Sequence, residues 1–489
     1  MSRRRPRSRP RAVLAAAAVV ALVVAGVAPA VGAAGASSPA AVGATGQFAQ
    51  SDAPNPCVGT VDAERAPDAT TLVSVQGARG GGKTVAMLFG VAPDGSVHGV
   101  HNDTADGRWW SYDVDPLPNG ELLMATTEPG ITVVERIDPA TGENTEVTRL
   151  QNVEDAHDVD YLGDGEFATV DKGDERNRVL IYDESGEIVW QWRFDEHTDR
   201  FPRDGGGPYG EDWTHVNDVD QVGDDTLVVS VRNFDQVIAI DRDTKEIEWT
   251  LGADDDYETL NEQHNPDVIA GENGSFSAIV ADSENDRVVE YARTDDGDWE
   301  RTWVLEGGGL HEPRDADRLP NGNTLVTDRR GHRVVEVTPR GEVVWEFYTP
   351  WQPYDAERVG TERGSSGPTM GQVGAAGTHQ LTGSADFDTA AIEDCYAYLT
   401  GVDRTRLVPD DELWGDGGDL YADASGDTTP GDDAAGGDGS GDDTTDDRAW
   451  TTVPPESAID VPGFGVGAAL AALAALTAAL ALVSVRRRA

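Results

Sequence analysis

The sequence predicts an all-β chain folded as a β-propeller with six blades, five explicit in the repeats and one composite blade closing the ring. Three observations predict it. Val/Ile/Leu-rich runs alternate with turn signals about every 8–12 residues, the mark of short antiparallel strands. One phrase recurs: an apolar residue with Asp, a Gly-containing turn, a β-rich run and a second hairpin often ending in Trp. It stands as HDVDYLGDGEFATV, NDVDQVGDDTLVVS and RDADRLPNGNTLVT. Before residue 385 nothing helical of comparable length appears.

Anchored on Asp115, Asp160, Asp220, Asp267 and Asp317, the units are spaced by 45, 60, 47 and 50 residues. A four-stranded unit repeating about every 40–50 residues is a propeller blade. Thr84–Val100 reads as the outer half of a sixth unit, and its inner strands are expected from 375–400. The long spacing reflects an insertion, Glu196–Asp212, with the run Gly205-Gly206-Gly207-Pro208. Loops of that length in compact repeats are commonly functional. Trp190, Trp249 and Trp345 end outer hairpins, where indoles fill the wedge between blades.

The chain divides into 1–33 (signal peptide), 34–56 (flexible), 57–400 (propeller), 410–460 (Asp/Gly/Thr-rich stalk) and 462–489 (apolar helix and basic tail). Arginines precede the apolar run Ala12–Ala30, as in a secretory signal. Phe464–Val485 is uncharged and ends in Arg486–Arg488, as expected of a membrane helix with a cytoplasmic end. Pro462-Gly463-Phe464, apolar helix and basic cluster together resemble the PGF-CTERM sorting signal of archaeal surface proteins. That resemblance implies archaeosortase processing and a lipid in place of the helix. The expected location is the outer face of the cell membrane. Cys57 and Cys395 flank the strand-rich region of an exported chain, so a disulfide between them is expected.

With 89 acidic against 38 basic residues the formal charge is −51, which excludes a protein that binds nucleic acid through its phosphates. Only three residues are lysine (Lys83, Lys172 and Lys245). An acid-rich, lysine-poor but foldable chain suits concentrated salt, which screens its self-repulsion.

The repeat register singles out the chemistry. Three residues before the anchors stand Tyr112, His157, Asn217, His264 and Arg314, which a propeller places on one ring about its axis. His215 and His311 lie just upstream on entering loops. Arg232 interrupts the Val-rich run LVVSVRNFDQVIAID and is expected to point from a strand into the channel. Neutral imidazoles beside arginine make a site for an anion, with a nucleophile and a proton shuttle at hand. No cofactor and no metal are implied. Two cysteines exclude a cysteine-based zinc site, and Gly80-Gly81-Gly82-Lys83 lacks the spacing of a phosphate loop.

Across Asp113–Phe347 the chain resembles the PAPS-independent arylsulfate sulfotransferases, which are six-bladed propellers. The residues that carry the resemblance are DWTHVNDV, VSVRNFDQVIAIDRDTKEIEWTLG and EQHNPDVI. It implies that His264 attacks the sulfur of a phenolic sulfate ester and passes the sulfuryl group to an acceptor phenol. It further implies that His157, His215, Asn217 and Arg232 complete the site, and Tyr112, Arg314 and His311 are expected to contact substrate. Members usually follow Gln-His with Asp-Ala, where this chain has Asn265-Pro266. Their usual Phe-Asp-Asn-Gly is replaced by Val280-Ala281-Asp282-Ser283. The alternative reading is a non-catalytic propeller module that binds anionic or sulfated surface ligands in the same pocket.

Overall fold

The computed structural model describes residues 55–409, apart from 80–81, 104–106, 152, 154, 174–175, 224, 272–273, 362, 386–388 and 403–405. Six antiparallel sheets form the blades of a propeller. Numbered in chain order, blade two is Trp109–Pro116, Leu122–Glu128, Ile131–Ile137 and Asn144–Gln151. Blades three, four, five and six begin at Val159, Val216, His264 and Pro313 and end at Arg193, Gly252, Glu306 and Tyr348.

Blade one is composite, as expected, but its inner strands do not come from 375–400. They are Gln352–Arg358, innermost, and Thr71–Gln76, which pair antiparallel and then continue to Met87–Val91 and Val97–Asn102. Gly377–Gln380 instead adds a parallel strand to the outer edge of blade five, and Thr389–Thr400 is a helix. The exchange is physical. Thr71–Gln76 is buried throughout, as an inner strand must be, whereas Gly377–Gln380 is largely exposed.

The core consists of six wedges, one at each blade interface. Ala168, Val170 and Ile181 of blade three meet Val219, Val229 and Ile238 of blade four, for example. Blade one meets blade six through Val73, Phe89, Leu325 and Trp345. Helix Thr389–Thr400 adds Ile392 and Leu399 to the buried residues, Leu399 packing on that last wedge. Cys57 and Cys395 lie there too and are disulfide-bonded, with Cα atoms 4.8 Å apart. Indole N–H groups bridge neighbouring blades: Trp190 Nε1 donates to Arg242 O (2.9 Å) and Trp303 Nε1 to Pro339 O (3.0 Å).

The anchoring carboxylates have a lateral task. An innermost strand leaves backbone N–H groups facing the channel, and buried donors require partners. Asp158 and Asp160 of blade three accept from Val219 N and Gln221 N of blade four (both 2.6 Å), and Asp355 accepts from Val114 N (2.9 Å). Asp158 and Asp160 thus tie blade three to blade four, and Asp355 ties blade one to blade two.

Among the described residues no helix is long and apolar enough to cross a membrane. The expected signal peptide, the 34–54 segment, the stalk and the Phe464–Val485 helix lie outside the described residues.

Candidate active site

A shared irregularity aims the site residues. The inner strands slip register between Ser111 and Val114, Val216 and Asp218, His264 and Asp267, and Pro313 and Asp315. The strand Gln352–Arg358 slips between Pro353 and Ala356. Bulges turn a side chain out of the normal alternation, and Tyr112, Asn217, Arg314 and Tyr354 sit inside these slips while His264 opens one. In blade three His157 precedes the first paired residue, Val159. The ring in blade order is therefore Tyr112, His157, Asn217, His264, Arg314 and Tyr354.

Its members are all buried. Ring centroids lie 4.3 Å apart for Tyr112 and His157, 4.9 Å for Tyr112 and Tyr354, and 5.4 Å for His157 and His215. Asn217 donates to Gln263 O at 3.1 Å, next to His264.

The tautomer of His264 follows from its neighbours. Nδ1 lies 2.9 Å from Ser283 Oγ, and that hydroxyl donates its own proton to Pro313 O at 2.7 Å. Ser283 must therefore accept, so Nδ1 carries the hydrogen and Nε2 the lone pair. Nε2 faces the Arg314 guanidinium, which donates to it. The segment that departs from the resembled family thus supplies the group that orients His264.

On the other side of the ring stands a second network. His215 has a backbone φ of 42°, and its Nδ1 lies 2.8 Å from Asp212, at the end of the insertion. Lys172 Nζ lies 3.4 Å from His215 Nε2 and 3.4 Å from Asp155 Oδ2. Tyr112 donates its hydroxyl to Asp155 (2.7 Å). Burial alone would raise both aspartates; Lys172 and His157 outweigh it at Asp155, and His215 and Lys172 outweigh it at Asp212, so both carboxyls are held below their ordinary range. Burial, reinforced by Lys172, pushes His157 down to about 3, so its ring is neutral at any ordinary pH.

Arg232 is not on a strand. The strand ends at Val231 and Arg232 begins a short 3-10 turn, Arg232–Phe234. Its buried guanidinium pairs with Glu262 and reaches Asn233 Oδ1 at 3.0 Å. It opens on a cavity of about 570 Å³ that is also lined by Gly206, Gly207, Asp212, Glu262, Glu284 and Arg330. The glycines are required there: a Cβ on Gly207 would sit 2.0 Å from Asp212 O, and Gly206 has φ +60° against the Phe234 ring. Nearby, Arg314, Arg329 and Arg330 all converge on Glu312. His311 holds backbone bonds with Asp328 and Arg330, and no hydrogen bond or ring contact ties its side chain to the three ring-side histidines.

At the far mouth of the channel residues 363–367 bond to the inner strands. Arg363 pairs with Asp160 and approaches Asp115 at 3.6 Å, Gly364 N donates to Glu357, and Gly367 N donates to Arg318 O (2.7 Å).

Elsewhere, His101, Asp103 and Glu135 have ligand atoms close enough to share a metal. The Arg108 guanidinium already bonds Glu135 there, and Asn144 donates to both carboxylates. Those residues fit an ion-pair network rather than a metal centre.

Lys172, Asp155, Asp212, Ser283 and Tyr354 were not anticipated from sequence. Tyr354 had a register signal: Tyr354-Asp-Ala-Glu357 repeats Tyr112-Asp-Val-Asp115 with Glu at the anchor.

With this geometry in hand, the comparison with known proteins is specific. Residues 84–295 match the arylsulfotransferase (ASST) family. The match covers blades two to four, most of blade five and the outer strands of blade one, and it includes His157, His215, Asn217, Arg232 and His264. No curated protein matches the sequence. Among solved structures, a protein of unknown function from Bacteroides caccae aligns over 60% of this chain and 100% of its own, at 13% identity and a TM-score of 0.42. The periplasmic gluconolactonase of Pseudomonas aeruginosa aligns over 62% and 88%, at 16% identity and a TM-score of 0.36. These two likenesses are too distant to bear on chemistry.

Proposed function

We propose that this protein is a sulfotransferase that moves a sulfuryl group from a phenolic sulfate ester to an acceptor phenol through a sulfohistidine at His264, with no nucleotide donor. The observation that carries the reading is the orientation of His264. Ser283 leaves its Nε2 lone pair directed at Arg314, inside a ring that also holds Asn217. A neutral, oriented imidazole is what a nitrogen nucleophile requires.

In the first half-reaction Arg314 turns its donors from Nε2 to the sulfuryl oxygens, the freed Nε2 lone pair attacks sulfur, the sulfur–aryl oxygen bond breaks, and the phenolate leaves with the bonding pair. The proton it takes comes from the Lys172–His215 pair, since His157 has none to give at neutral pH. Charge on the sulfuryl oxygens meets Arg314, Asn217 and Arg232. The second half reverses these steps: the acceptor phenol loses its proton to His215, its oxygen attacks sulfur, and the lone pair returns to Nε2. With Arg363 bonded across the inner acids at the far mouth, donor and acceptor enter in turn from the side of the site ring, which suits a ping-pong order.

We further propose that the enzyme works outside the cytoplasm and is held at the membrane by its C-terminal tail. The Cys57–Cys395 bond supports an oxidising compartment.

The test is mass spectrometry of the protein in high salt with 4-nitrophenyl sulfate. An adduct of one sulfuryl group on His264 that disappears when phenol is added is the expected result. Folded protein with neither adduct nor nitrophenol release, across several aryl sulfates, would overturn the reading.

A further inference from the structure

We propose that Tyr354 is a further catalytic residue, donating its hydroxyl hydrogen bond to a non-bridging oxygen of the sulfuryl group in flight. The assignment rests on the sulfuryl-transfer reading above and extends it to a residue outside the 84–295 match.

Tyr354 occupies the ring position that the composite blade contributes, three residues before Glu357. Its side chain is fully buried, and among the described residues its hydroxyl has no hydrogen-bond partner. Burying a hydroxyl unpaired is costly, and native folds rarely do it without a ligand or water to satisfy the group. The other ring tyrosine offers no such donor, because the Tyr112 hydroxyl is already committed to Asp155 at 2.7 Å. Packing fixes the Tyr354 ring edge-on to Tyr112 and 5.7 Å from His157. Burial also raises its phenol well above the ordinary tyrosine range, so the proton stays on the oxygen and is offered, not transferred.

Ring order says which oxygen it meets. In six blades the position opposite His264 belongs to Tyr112, and the positions flanking His264 belong to Asn217 and Arg314. A displacement in line with Nε2 sends the leaving oxygen across the axis, toward Tyr112 and the Lys172–His215 pair. The non-bridging oxygens then spread sideways, and Tyr354 follows Arg314 on that flank. No bond to Tyr354 forms or breaks; it stabilises charge as an oxyanion donor does.

Tyr354→Phe tests this, because it removes one oxygen and keeps the ring. We expect kcat to fall by about 10²-fold or more, KM to change little, and the loss to be the same for phenyl sulfates with good and poor leaving groups. The melting temperature should equal or exceed the parent's, since an unpaired buried hydroxyl is lost. Wild-type turnover with an unchanged kcat in the variant would overturn the proposal while leaving the sulfohistidine reading intact. So would a loss that grows with the leaving phenol's pKa, which would place the hydroxyl on the bridging oxygen. A lower melting temperature would show a structural partner and overturn it as well. A wild type that forms no His264 adduct would instead remove the reading on which the proposal rests.

Discussion

In the proposed reaction two histidines compete for the task of protonating the leaving phenolate, and their surroundings assign them different work. His215 is backed by Asp212 on Nδ1 and by Lys172 on Nε2, a chain along which a proton can pass. His157 is buried among aromatic rings with its charged form suppressed to about 3. His215→Asn should therefore lower kcat by about 10²- to 10⁴-fold, the usual worth of a general acid. The loss should be greatest for aryl sulfates whose phenols are poor leaving groups. His157→Asn should leave the shape of the pH–rate profile unchanged. A profile that loses its limb in the His157 variant and keeps it in the His215 variant would reverse the two roles. Arg232→Lys, by contrast, should depress turnover at every pH, because an ammonium cannot share a planar fork between Glu262 and a sulfuryl oxygen. Five ring residues were legible in the sequence because the repeat register marks them. Lys172, Asp155 and Asp212 were not, since they lie on connections between strands where no register applies. Ser283 was visible only as a departure from a family pattern, and its purpose appears once its hydroxyl is seen between His264 and Pro313.

At the scale of the element, what distinguishes this chain is how blade one is completed. Its outer half was readable from apolar alternation in Thr84–Val100. Its innermost strand was not, because Gln352–Arg358 carries polar residues at most positions and pairs with Thr71–Gln76 from the far end of the domain. An inner strand facing a polar channel has little apolar signal to offer, so hydrophobic period misses it. The ring then closes through one strand pair, and the Cys57–Cys395 bond sits over the same interface, on the wedge shared by blades one and six. Losing that bond frees both ends of the propeller in the unfolded chain and loosens the closure in the folded one. Replacing both cysteines with serine should lower unfolding stability by about 2–5 kcal/mol. Guanidinium denaturation in high salt measures this, and a midpoint equal to the parent's would mean that strand pairing alone secures the closure.

For the whole molecule, the channel sets a dependence on pH that the net charge alone would not predict. Below the site ring the inner strands carry two tiers of acids: Asp113, Asp158, Asp218, Asp315 and Asp355, then Asp115, Asp160, Asp220, Asp267, Asp317 and Glu357. Burial raises them, helped at most positions by neighbouring carboxylates; Asp158 and Asp355 are pushed up to about 7, and Asp160, by burial alone, to about 6. Glu135, outside the channel, is pushed up to about 8 by burial and by the Asp103 carboxyl. These groups keep protons in the folded chain that the unfolded chain has already released near pH 4. Between those limits the folded state binds more protons, so stability must fall as pH rises through the folded values. Below about pH 6.5 the suppressed charging of His157 works in the opposite direction, which leaves pH 7 to 8.5 as the window free of that opposing effect; His101, held up despite burial by Asp103 and Glu135, adds there with the same sign as the acids. Raising the pH across that window should cost on the order of 2 kcal/mol, a drop of a few degrees in melting temperature. The measurement is a melting curve at fixed high salt, made at each end of the window. Asp158→Asn keeps an acceptor for Val219 N and removes the titration, so it should flatten the slope. A slope that is absent in the parent, or unchanged in this variant, would mean the channel acids keep their charge when folded, neutralised by cations drawn from the medium.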